Sequence, residues 1–122
     1  MAEVGAYLNA ADALLVHLRK DPLFEITIPS KTQAYMTVGK PLLMAVDGDA
    51  ADLVRQSSGG VVAESENPEA LARAAEQLAA MPTDALAAMG DKAQRFYREH
   101  LALAEGVRKF VEIFKRNCPP AQ

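Results

Sequence analysis

Three short apolar runs recur along the chain: ALLVHL (Ala13–Leu18), PLLMAV (Pro41–Val46) and GVVAES (Gly60–Ser65), each followed by a segment of helical pattern. Runs this short, nearly continuous in apolar residues and bounded by turn residues, are read as strands buried on both faces. Strands alternating with helices call for a parallel sheet between helical layers. Crossovers in such sheets are right-handed, which makes the expected topology Rossmann-like. The fold class is therefore α/β: a partial, three-layer α/β/α arrangement with a short parallel sheet of about three strands and helices at the C-terminal end. Ligands of such sheets bind beyond the carboxyl ends of the strands.

Between the runs, the helix signals are specific. Glu3 to Asn9 places Val4, Tyr7 and Leu8 on one face. RKDPLFEITIP, with two prolines, reads as a loop. Ser30 to Val38 is a helix stopped by Gly39, with Pro41 beyond. Asp47 to Ser57 is the next, and Gly59-Gly60 is expected to end it in left-handed geometry. Asn67-Pro68-Glu69 combines an N-cap, a proline at the first helical position and an early acid, so a helix runs from there to about Ala80. Pro82-Thr83-Asp84 starts another that reaches about His100, with Met89, Phe96 and Tyr97 on its apolar side. Leu103, Val107, Phe110, Val111 and Phe114 mark one face of a last helix. Met81 and Met89 are expected to fill the core, and CPPAQ cannot be helical. The whole reads as one partial domain over 1–122, with βα units over 1–64, C-terminal helices over 65–117 and a tail over 118–122.

A chain of 122 residues has room for one modest core. Its net charge of −3 spreads basic residues among acids, which gives no basic face for nucleic acid. Cys118 is the single cysteine and cannot form an internal disulfide; a cytoplasmic location is the expectation. No apolar run approaches the roughly 20 residues of a membrane span, so any membrane association is expected to be peripheral.

The candidate site is the turn Pro29-Ser30-Lys31-Thr32. A helix start exposes unpaired N–H groups and the positive end of the helix dipole, and these together receive phosphate. A hydroxyl and an ammonium add donors. The plainer reading makes Ser30 an N-cap and Lys31 a solvated side chain. His17 ends the first strand, where it either faces a ligand or is a partly buried structural histidine. Asp47 and Asp49 lack a third ligand for a metal, and one or the other is expected to cap the following helix. His100, late in a helix, favours the helix dipole and carries no assigned role. No metal site, no cofactor and no catalytic triad are assigned, and the catalytic residues are unknown.

The succession PSK, helix, GKP, strand, GDAADLV, GGVV and NPEALA has a family likeness as a set. The segment from Glu3 to about Ala80 resembles the C-terminal domain of family 4 glycosyltransferases, GT-B enzymes with two Rossmann-like domains around a cleft. It is nearest to the bacterial branch that builds surface polysaccharides from amino-sugar donors. The resemblance implies that this domain binds a nucleotide-diphosphate sugar, with Ser30, Lys31 and Thr32 beside the diphosphate. His17 and Glu25 would line the cleft near the sugar. It also implies transfer of the sugar to an acceptor hydroxyl with electrostatic support of the departing diphosphate. Many members carry two glutamates separated by seven residues around this turn; the corresponding positions here hold Ile26 and Ala34, so the usual ribose contact at Ala34 is lost.

The resemblance further implies a missing N-terminal acceptor domain and an inactive isolated fragment. Two other readings compete. One is a non-catalytic interaction module, dimerising through an uncovered sheet edge. The other is a response-regulator-like domain, which wants an aspartate where the chain has His17-Leu18.

Overall fold

The computed structural model describes residues 2–118. In chain order the elements are α1 (Ala2–Ala10), β1 (Leu14–His17), α2 (Pro22–Glu25), α3 (Ser30–Val38), β2 (Leu42–Ala45), α4 (Asp49–Ser57), β3 (Gly60–Ala63), α5 (Pro68–Ala79), α6 (Thr83–Phe96), a π-helical turn (Tyr97–Leu101) and α7 (Leu103–Asn117). The three apolar runs form one parallel sheet in the order β1-β2-β3, with Leu14 opposite Leu42 and Leu42 opposite Gly60. This is the Rossmann-like α/β architecture with a three-stranded sheet.

Because strand side chains alternate between faces, the two faces separate cleanly. Leu14, Val16, Leu42 and Met44 point to one face and are buried with Met36 of α3, Ala50, Ala51 and Val54 of α4, and Ala93 of α6. Those small alanines let α4 lie close on the strands. The core methionines are Met36 and Met44, both fully buried, whereas Met81 and Met89 are only half-buried.

The second face is clad unevenly. Helix α5 packs against β3 and β2. Over β1 the cover is thinner: Leu15 remains 49 % exposed and His17 is exposed. The expectation of strands buried on both faces thus fails at β1. A groove of about 380 Å³ lies on this side between Ala13, Leu43, Leu78 and Leu86.

The segment read as a loop contains α2. Asp21 accepts a hydrogen bond from the Leu23 amide at 2.8 Å, and Pro22 occupies the first helical turn, where a missing N–H costs nothing. Helix α3 stops at Gly39, whose φ of 81° is left-handed. At the end of α4 the left-handed residue is Ser58, with φ of 55°, and Gly60 opens β3 instead. The Ser57 hydroxyl relays this ending, donating to the Val54 carbonyl at 2.7 Å and accepting from the Gly59 amide at 2.9 Å.

Helix α6 approaches the turns that precede β2 and β3. Gln94 donates to the Thr37 carbonyl at 2.9 Å, and the Ala93 side chain lies against Gly59. It thereby closes the amino end of the principal core, leaving the carboxyl ends of the strands as the rim open to ligands. The helical run past Phe96 does not continue regularly to His100; it widens into the π turn, and α7 departs from there. Of the expected tail, Cys118 is exposed and the rest lies outside the described residues.

Candidate functional site at the carboxyl rim

Helix α3 connects β1 to β2. Its end leads through Gly39 to Pro41, whose carbonyl accepts from the Leu14 amide at 2.9 Å, so the end of α3 lies at the amino edge of the sheet. Nine helical residues rise about 13 Å, roughly the length of a four-residue strand. The start of α3 therefore stands at the opposite, carboxyl edge.

There the N-cap position is Pro29, which supplies no side-chain capping bond, and Ser30 is the first helical residue rather than the cap. Ser30 and Lys31 are exposed. The Thr32 amide donates to the Pro29 carbonyl at 2.9 Å. Thr32 itself is fully buried, and its hydroxyl has no hydrogen-bond partner. Of the three residues expected to face a ligand together, Ser30 and Lys31 reach solvent and Thr32 points into the protein.

The turn after β1 runs against the turn after β2. Gly48 has φ of 82°, and a Cβ there would lie 2.1 Å from the Glu25 carbonyl oxygen, so only glycine fits both the backbone and the contact. Glu25 is exposed on this ridge. Asp47 and Asp49 do not cap α4. Gly48 occupies the cap without a side-chain bond, and Asp49 is the first helical residue. Asp47 is used elsewhere: its Oδ1 accepts from the Ser65 amide at 3.1 Å.

Ser65 is the hub that motif reading missed. It is 1 % exposed. Its hydroxyl donates to the Leu18 carbonyl while its amide binds Asp47. One residue after β3 thus holds the turns after β1 and β2. Around it, Lys20 Nζ meets Glu64 Oε1 at 2.6 Å, and the Lys20 amide donates to Glu66 Oε2 at 2.8 Å. The hydrogen bond from Lys20 holds the Glu64 carboxyl below the ordinary glutamate value, and the same bond raises the Lys20 ammonium. The available signal was the density of acceptors in Glu64-Ser65-Glu66-Asn67 directly after a strand; without the positions of Leu18 and Asp47, no partner could be named.

His17 lies on the second face, where it lines a cavity of about 240 Å³ with Ala45, Glu64, Glu66 and Leu71. Glu25, Ser30, Lys31 and Thr32 do not line this cavity. The α3 start belongs to the face carrying α3 and α4, and His17 to the face carrying α5. The five expected residues therefore share a sheet edge but not one pocket. The His17 side of the rim is acidic, and Lys31 stands on the other side. Among the described residues no group of three His, Cys, Asp or Glu side chains stands together as a metal site.

Comparison of the chain with protein-family models, with curated proteins and with solved structures returns no match.

Proposed function

We propose that the chain forms the donor side of a glycosyltransferase, receiving the diphosphate of a nucleotide-diphosphate sugar at the start of α3. The observation that carries this reading is an uncapped nine-residue helix whose first residues, Ser30 and Lys31, are exposed at the carboxyl rim. Free amides and the helix dipole at such a start favour a dianion, and the Lys31 ammonium adds a mobile counter-charge.

In the transfer, the bond between the anomeric carbon and the diphosphate oxygen breaks as an acceptor hydroxyl bonds to that carbon. Negative charge grows on the departing diphosphate, and donors fixed beforehand stabilise it most where it develops. The acceptor, its proton and the base that takes it belong to a separate acceptor-binding domain. Synthesis of surface polysaccharide is the setting that the family likeness supports. The family likeness would put His17 and Glu25 near the sugar; both lie on the same edge of the sheet, His17 on its second face.

Titration with uridine and guanosine diphosphates, followed by amide NMR, tests this. Shifts centred on Ser30 to Ala34, weakened about tenfold by Lys31→Ala, are expected. Shifts elsewhere, or none at millimolar nucleotide, overturn it. A second reading, a non-catalytic module that pairs through its sheet edge, is favoured by one specific observation: β1 ends the sheet with Leu15 half-exposed beside it. Concentration-dependent dimerisation in sedimentation, without nucleotide shifts, decides for that reading.

A further inference from the structure

Helix α7 presents its apolar face to solvent. Leu103 is 81 % exposed, Phe110 65 % and Phe114 63 %, and Val107, Val111 and Ile113 are also exposed. None of its residues is buried. At about 100° per residue these six side chains cover an arc of about 160°, wider than the narrow seam of a two-helix coiled coil.

The charges are sorted around that arc. Lys115 and Arg108 follow its one margin, Lys109 and Arg116 its other, and Glu105 and Glu112 lie between them at the far pole. Arg108 is held by both glutamates. The Glu105 side chain is 22 % exposed beneath Arg108, whereas Glu112 at the same pole is 54 % exposed, so past Gly106 the helix is open to solvent on every side, its apolar arc included. No helix among the described residues is long and apolar enough to cross a membrane.

We infer that α7 is a surface-seeking helix that lies in the plane of an anionic phospholipid bilayer. The apolar arc enters the boundary between headgroups and acyl chains, and the flanking cations meet lipid phosphates. Cations beside the apolar margin and carboxylates at the far pole are the charge distribution complementary to such a surface. A second copy of the chain would leave the same cations facing each other across the contact. This inference does not depend on the nucleotide-sugar reading.

The test is sedimentation of the full chain with phosphatidylcholine vesicles, with and without phosphatidylglycerol. Binding to the anionic vesicles, weakened by salt, is expected. Phe110→Ser with Phe114→Ser should lower it by more than about tenfold, and Lys109→Ala and Arg116→Ala by about fivefold each. All four side chains are exposed, so circular dichroism should report an unchanged fold. Failure of the unaltered chain to bind anionic vesicles overturns the inference. So does binding that both pairs of variants leave intact, or a dimer in lipid-free sedimentation that the phenylalanine variants dissolve while vesicles are ignored.

Discussion

Thr32 shows how a polar residue can be placed by its helix rather than by a ligand. Its hydroxyl is buried without a partner, a situation that costs about 1 kcal/mol or more. Thr32→Val keeps the shape and removes the unpaired group, so it should raise stability by about 1 kcal/mol in urea unfolding, leaving nucleotide shifts at Ser30 and Lys31 intact. Gly48 is the opposite case. Gly48→Ala would force a side chain into a glycine-only backbone region and against the Glu25 carbonyl, 2.1 Å away. A loss of roughly 3 kcal/mol is expected in the same measurement. Residue types alone pointed to the Ser30 turn, but not to which of its side chains face outward. That depends on the rotation of α3 about its axis, which Met36 and the strands set.

At the scale of elements, legibility followed local chemistry. Asn67-Pro68-Glu69 announces α5, and the structure carries the cap: Asn67 Oδ1 accepts from the Ala70 amide at 3.0 Å. Asn67→Ala should cost about 1 kcal/mol, read as a lower midpoint in thermal unfolding. The stop at Gly39 was equally plain. By contrast, α2 is one turn long and begins on the first of the segment's two prolines, so composition argued for a loop. The sparse cover over β1 was also invisible, because LLVH reads the same whether its second face meets a helix or water. The free apolar side of α7 was visible as a period, but a period does not say whether anything packs on it.

For the molecule as a whole, the rim carries an ion pair, Lys20 with Glu64, beside the Ser65 hydrogen bonds, while the core is apolar, and the two respond differently to pH. Because Lys20 keeps the Glu64 carboxyl below its ordinary value of 4.5, this pair stabilises the fold above that pH and ceases to do so as acid protonates Glu64. At the alkaline end the contribution persists through 10.5 and is lost only as Lys20 releases its proton at a higher pH. Lys20→Gln should therefore lower the neutral plateau of a stability–pH curve slightly and flatten its acid limb below 4.5 by the same small amount, leaving stability in stronger acid unchanged.

Ser65 has a mechanical corollary. With its hydroxyl on the first turn and its amide on the second, it acts as a rivet through three otherwise separate loops. Leu18 and Ser65 should exchange their amide protons for deuterium at a common rate, opening only when the entire edge opens. Any small molecule settling there would meet a preset contour instead of three independently fluctuating strands of backbone.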